Sequence, residues 1–150
     1  NGKRSWYPLP STLNGSVVED DEGIMNSKKI IAEALHHHID MDKRLFLGGF
    51  SQGAALSLSM GLNNDMKCDG IIAISGYVPS ASKINIVDHS KDIYVAHGKN
   101  DTTISIETHE KSIRFFEKNN LSYTECLDDC GHTISKAMIG SLSEWMHNRL

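Results

Sequence analysis

The chain has 150 residues, of which 39% are apolar, and its 15 basic and 19 acidic side chains give a formal net charge of −4. This length indicates a single domain. The chain has no basic run and no apolar stretch near the ~20 residues of a membrane span, which argues against nucleic-acid-binding and membrane-spanning classes. The composition also argues against a disordered class. Three cysteines, Cys68, Cys126 and Cys130, suit neither a disulfide scaffold nor a zinc site, so we expect reduced thiols in a cytoplasmic protein without a bound metal.

The first predicted elements are a loop and a helix. Residues 1–15 contain the early turn formers and predict an irregular loop. The acidic run at residues 19–22 suits a helix N-terminus, where it meets the positive end of the dipole. Apolar side chains then recur at helical spacing, at Ile24, Ile31, Leu35 and Ile39, and they predict the first helix.

Strand and helix patterns alternate along the rest of the chain. Short apolar runs predict strands at residues 44–48, 70–75, 93–97 and 122–127. Helices are predicted at about residues 53–61, from Ile106 to a close near Asn119 and Asn120, and from Ile134 to Met146. This alternation predicts an α/β fold with a mostly parallel sheet, right-handed crossovers and helices on both faces.

One motif carries a specific chemical prediction. Residues 49–53, Gly-Phe-Ser-Gln-Gly, fit the pattern G-x-S-x-G between a strand and a helix, which is the context of a nucleophile elbow. The sharp turn would lift the Ser51 hydroxyl above the carboxyl edge of the sheet, and it would tolerate only small neighbours, which accounts for Gly49 and Gly53. The backbone N–H of Gln52 would point toward a developing oxyanion. The alternative is a glycine-serine turn without chemistry.

A serine nucleophile needs a base, and the base needs an acid that orients it. In this architecture the chain order is Ser, acid, His, and Asp101 and His132 lie on the loops that follow two neighbouring strands. Asp128 and Asp129 are alternative acids, but they share the loop of His132 and would have to fold back, so we favour Asp101.

Seven other histidines compete for the role of the base. His36, His37 and His38 are consecutive on the first helix, so they point in different directions and predict a solvated or partly buried face. His97 ends a buried strand and is expected to shape the Asp101 turn, whereas His109 is expected to be a helix-surface or core histidine.

These segments resemble the acyl-protein thioesterase, carboxylesterase and phospholipase family of α/β-hydrolases over nearly the whole chain. Residues 47–53 resemble the nucleophile segment of the family, residues 97–101 its acid loop, and residues 131–132 its histidine loop. The resemblance implies cofactor-free and metal-free hydrolysis of carboxylic esters or thioesters through an acyl-serine intermediate. The implied substrates are small-molecule or lipid acyl esters and acylated proteins.

The resemblance also implies substrate-binding residues. Residues 75–79 resemble a strand end of the family in which an aromatic residue before the proline lines the acyl pocket, which gives this role to Tyr77. Trp6 belongs to an aromatic pair that the family carries before this first helix, and we expect it to help line the same pocket.

One part of the family pattern is absent. The family begins with further strands and a His-Gly-Leu-Gly-type loop that donates the second oxyanion N–H, and the chain lacks them. We therefore expect residues 1–150 to form one hydrolase domain that is incomplete at its N-terminus and weakly active or inactive alone. The alternatives are a non-catalytic hydrolase-fold domain that binds a ligand or partner, and a serine peptidase of the same fold.

Overall fold

The computed structural model describes residues 5–8, 10–13, 16–36, 38–40 and 42–149. A short antiparallel hairpin precedes a regular alternation of helices and parallel strands. In chain order the elements are β1 (Ser11–Leu13), β2 (Ser16–Val18), α1 (Asp21–His36), β3 (Phe46–Phe50), α2 (Gln52–Leu62), β4 (Gly70–Ile74), β5 (Asp92–Gly98), α3 (Ile106–Lys118), β6 (Tyr123–Asp128) and α4 (Lys136–His147).

Strands β3 to β6 form one sheet in their order along the chain, and every pair is parallel. The register runs from Gly48 to Ile72, from Ile72 to Tyr94, and from Tyr94 to Thr124. Because the strands are parallel, all four carboxyl ends lie at one edge. This architecture confirms the predicted α/β class. Among the described residues, β3 pairs with β4 alone and is therefore an edge strand.

Each face of the sheet packs against helices, as predicted. Side chains alternate along the strands, so Ile71 faces a core that includes Leu58 of α2 and Phe116 of α3. On the opposite face, Tyr94 packs in a smaller core with Trp145 of α4. The two cores hold the strands rigidly, so the loops at the carboxyl edge start from fixed positions.

Among the predicted boundaries that differ from the structure, two have a clear local origin. Strand β3 extends to Phe50 because the Gly48 and Gly49 backbones continue the parallel ladder with β4, although they add no apolar signal to the sequence. The predicted loop at residues 1–15 contains strand β1, which pairs with β2. The sequence between these two strands is Asn-Gly, a dipeptide that favours hairpins. The loop prediction used this dipeptide only as a sign of irregular structure. Residues 1–4, 9, 14 and 15 lie outside the described residues.

Other sequence expectations concern the histidines of α1, the cysteines, bound metal and membrane spans. His36 ends α1 and is exposed, His38 is also exposed, and His37 lies outside the described residues. The three cysteines are free thiols. Within the described ranges, no three potential ligands cluster in a way that could hold a metal ion, and no described helix is long and apolar enough to cross a bilayer.

Candidate active site

Ser51 occupies the turn between β3 and α2. Its backbone has φ 57° and ψ −121°, a strained conformation for a residue with a side chain. The turn is held from both sides, because the Ser51 N–H donates to the Ile74 carbonyl at 2.9 Å and the Ser51 carbonyl accepts from the Ala55 N–H at 3.1 Å. This conformation is the sharp strand-to-helix turn that the sequence predicted at Ser51.

The glycines around the elbow have unequal roles. A Cβ atom on Gly49 would lie 2.2 Å from the carbonyl carbon of Gly53, so the predicted need for a small residue holds at Gly49. At Gly53 a Cβ atom would meet nothing within 4 Å, so the expectation of a steric requirement there is wrong. Gly76 must also be small, although no sequence motif marks it, because a Cβ atom there would lie 2.4 Å from that of Ala54.

The structure brings together the three side chains that the sequence singled out. His132 Nε2 lies 3.0 Å from Ser51 Oγ, and His132 Nδ1 lies 2.7 Å from Asp101 Oδ2. A carboxylate accepts hydrogen bonds, so Nδ1 carries the proton and Nε2 of the neutral ring is free to accept from the serine hydroxyl. The alternative acids point elsewhere: Asp128 accepts from the Asp129 N–H, and Asp129 pairs with a lysine.

Asp101 is buried, and both of its carboxylate oxygens accept hydrogen bonds. Its Oδ1 atom accepts the backbone N–H groups of Thr103 at 2.8 Å and Ile104 at 2.9 Å, which leaves Oδ2 for His132. Burial raises the pKa of the Asp101 carboxyl, but the hydrogen bonds from His132, Ile104 and Thr103 together outweigh it and lower this pKa below its usual value. Asp101 is therefore an anion that faces the imidazole.

Gln52 follows Ser51, and both its backbone N–H and its side-chain amide lie at the turn. As the first residue of α2, it presents an N–H that has no acceptor within the helix and lies at the positive end of the dipole. Its side-chain amide accepts from the Trp6 N–H at 3.0 Å and donates to the Tyr7 carbonyl at 2.8 Å. These two hydrogen bonds, the Gln52 clamp, hold the segment of Trp6 and Tyr7 against the turn, and no motif in the sequence predicts them.

A cavity of about 590 Å³ opens beside Ser51. Tyr77 lines it together with Val78 and Ile104. The Tyr77 hydroxyl lies 3.2 Å from that of Tyr7, and burial raises the pKa of both phenols, so both stay neutral at physiological pH.

Trp6 lies elsewhere. It is half exposed and lines a separate apolar groove of about 450 Å³, next to Leu47 and Gly53. The structure therefore does not bring Trp6 into the cavity that Ser51 and Tyr77 share, because the Gln52 clamp fixes the Trp6 backbone on the other side of the elbow. A third aromatic residue, Phe50, packs on the His132 ring with the ring centroids 4.7 Å apart, a contact that the sequence analysis missed.

The parallel α/β sheet, the strained serine turn and the Ser-His-Asp geometry at the carboxyl edge define the α/β-hydrolase class. A family model described as phospholipase/carboxylesterase matches residues 1–149, and the chain belongs to this family.

Known relatives agree with this assignment, and solved structures share the fold. Acyl-protein thioesterase 1 of Yarrowia lipolytica is 28% identical over 97% of this chain and 69% of its own length. Acyl-protein thioesterase 1 of Cryptococcus neoformans is 32% identical over 74% of this chain and 50% of its own length. The crystal structure of Zea mays acyl-protein thioesterase 2 has the same fold, with a TM-score of 0.84 and 20% identity over 96% of this chain and 71% of that one. The chain thus spans about half to two thirds of the length of the curated relatives that it matches.

Proposed function

We propose that the protein is a serine hydrolase that cleaves carboxylic esters or thioesters through an acyl-serine intermediate. The observation that carries the proposal is the alignment of Ser51 Oγ, the His132 ring and Asp101 through contacts of 3.0 and 2.7 Å. Membership of the phospholipase/carboxylesterase family supports this class of reaction.

The proposed first half-reaction is attack of Ser51 Oγ on the acyl carbon. His132 Nε2 accepts the hydroxyl proton, and the Asp101 anion stabilises the imidazolium that results. The oxygen of the tetrahedral intermediate carries the negative charge and lies toward the Gln52 N–H. When the intermediate collapses, His132 gives its proton to the leaving alcohol or thiol, and the acyl group remains on Ser51.

The second half-reaction repeats these steps with water as the nucleophile. His132 takes a proton from the water, the hydroxide attacks the acyl carbon, and His132 returns the proton to Ser51 Oγ as the carboxylic acid leaves. Each proton lost by a nucleophile reaches a leaving group, so the cycle closes without a metal ion or a cofactor.

The proposed substrates are small acyl esters, lipid acyl esters or acylated proteins. The cavity beside Ser51, at about 590 Å³, falls within the range of small-molecule sites, and Tyr77 and Val78 give it an apolar wall for an acyl chain. Relatives named acyl-protein thioesterase 1 support the thioester of an acylated protein as one candidate.

Hydrolysis and active-site labelling test the proposal. Wild-type protein, Ser51→Ala and the exposed-serine control Ser143→Ala are treated with a p-nitrophenyl ester and with a fluorophosphonate probe. We expect wild type and Ser143→Ala to react equally and Ser51→Ala not to react. Undiminished labelling of Ser51→Ala would refute the nucleophile assignment. An unlabelled but folded wild type would fit either a non-catalytic binding domain or the inactive, incomplete domain expected from the sequence.

A further inference from the structure

Two buried histidines and a glutamate lie beyond Asp101, and the mechanism above does not use them. We propose that His97 is a positioning residue that fixes the Asp101 carboxylate for His132, and that His109 and Glu125 hold His97 in place. This inference rests on the role of Asp101 in the proposed function.

The Ile104 backbone links His97 to Asp101. The Ile104 N–H donates to Asp101 Oδ1 at 2.9 Å, and the Ile104 carbonyl lies 2.8 Å from His97 Nε2. The loop after Asp101 is thus fastened on both sides of Ile104, through two successive peptide groups. If the histidine contact were lost, the backbone at Ile104 could rotate, and Asp101 would lose a donor that holds Oδ1 and thereby aims Oδ2 at His132.

The same contact fixes the tautomer of His97. A carbonyl only accepts hydrogen bonds, so Nε2 carries the proton. This nitrogen lies 3.6 Å from Asp101 Oδ2, which is beyond a normal hydrogen bond, so His97 does not compete with His132 for that oxygen. The Ile104 carbonyl therefore holds His97 near the carboxylate without letting it replace His132.

His97 stays neutral beside the carboxylate. Its Nδ1 atom is buried and has no hydrogen-bond partner among the described residues, so a proton there would be an unpaired buried N–H. Burial lowers the pKa of His97, although its hydrogen bond to Ile104 partly opposes this. A neutral His97 leaves the charge of Asp101 to stabilise the His132 imidazolium.

Neighbouring elements brace the His97 ring. His109 of α3 stacks on it, with centroids 4.7 Å apart and planes 30° from parallel. His109 Nε2 in turn lies 2.7 Å from Glu125 Oε1 on β6. The titratable groups that act on His97 are therefore Asp101, His109 and His132 directly, and Glu125 through His109.

The test compares His97→Leu, which removes the donor, with His97→Gln, which keeps an N–H donor near the position of Nε2. We expect His97→Leu to lower kcat about 10²-fold with little change in KM, as for a catalytic group displaced by ~1 Å. The acid limb of its kcat/KM profile should move to lower pH, because a displaced carboxylate stabilises the His132 imidazolium less. The deshielded proton NMR signal of His132 Nδ1–H should move upfield. His97→Gln should keep most of each property.

A His97 that only fills space would give a different result. If His97 only fills space, both variants lose Tm to a similar extent, while the acid limb and the His132 signal stay at their wild-type positions, and the inference is overturned. The NMR signal does not depend on turnover, so it separates this inference from the proposed function. An unlabelled wild type whose His132 signal still moves in His97→Leu would contradict the hydrolase proposal and support the positioning role.

A milder variant keeps the inference testable if His97→Leu does not fold. Glu125→Gln weakens the hold on His109, and the exposed Glu117→Gln is its charge-matched control. We expect Glu125→Gln to lower kcat a few-fold and to move the acid limb and the NMR signal in the same direction as His97→Leu. Equal behaviour of the two glutamate variants would overturn the proposed role of Glu125 and His109.

Discussion

Replacement of Gly49 by alanine tests the geometry of the elbow. The new Cβ atom would lie 2.2 Å from the carbonyl carbon of Gly53, 2.4 Å from its oxygen and 2.6 Å from the Ala54 nitrogen. All three atoms are backbone, so no side chain can rotate away, and the strand and helix must separate by about 1 Å. Such a displacement of a nucleophile costs about 10² in rate, and overpacking costs about 1–3 kcal/mol of stability.

Gly53→Ala is the matched control for this change. It adds the same methyl group on the other side of Ser51, where nothing lies within 4 Å. Gly53 is in the first turn of α2, where alanine favours the helix by up to about 1 kcal/mol over glycine. We therefore expect Gly53→Ala to fold at least as stably as wild type and to keep its labelling rate.

The assay is the second-order rate of fluorophosphonate labelling, measured beside urea unfolding. The predicted order is wild type close to Gly53→Ala, with Gly49→Ala about 10²-fold slower and less stable. Equal labelling rates and unfolding midpoints for Gly49→Ala and Gly53→Ala would refute the steric argument for the elbow.

Three further predictions follow from single contacts. Asp101→Asn should keep the fold and lower kcat about 10⁴-fold, because an amide does not stabilise the His132 imidazolium or fix its tautomer; a drop of less than tenfold in ester hydrolysis would count against the assigned acid. Hydrogen bonds from Ser90, helped by Lys91, lower the pKa of Asp88 to about 2. The ionised carboxyl therefore stabilises the fold above the unfolded-state pKa of 3.8, and this stabilisation is lost as the pH falls through about 2. Asp88→Asn should therefore unfold at lower urea concentration than wild type at pH 7, and the difference should be much smaller near pH 2. An equal difference at both pH values would contradict this. Gln52→Glu should loosen the segment of Trp6 and Tyr7, because a carboxylate repels the Tyr7 carbonyl to which the amide donates. Limited proteolysis should then cut this segment faster than in wild type. Unchanged cleavage would argue against the Gln52 clamp.

The sequence predicted the layout of the sheet because its signals are local. Apolar runs separated by helical patterns require parallel strands, and parallel strands bring their following loops to one edge. For that reason Ser51, Asp101 and His132, which are far apart along the chain, could be expected to meet without any knowledge of side-chain positions.

The contacts that the sequence did not predict depend on long-range packing. The Gln52 side chain binds backbone groups 45 and 46 residues away, and no periodicity or motif reports such a partner. Gly76 must be small because Ala54 of a different element packs against it. Trp6 was placed in the acyl pocket by resemblance alone, and its position depends on the same long-range clamp.

The most direct test of the central claim is the site of covalent labelling. After reaction with a fluorophosphonate, trypsin should release residues 45–67 as one peptide, because no lysine or arginine lies between Arg44 and Lys67. This peptide contains Ser51, Ser57 and Ser59, so its fragment ions separate the candidate nucleophile from two internal controls. We predict that the whole mass increase lies on Ser51, and an adduct on either control serine, or on another peptide, would contradict the account.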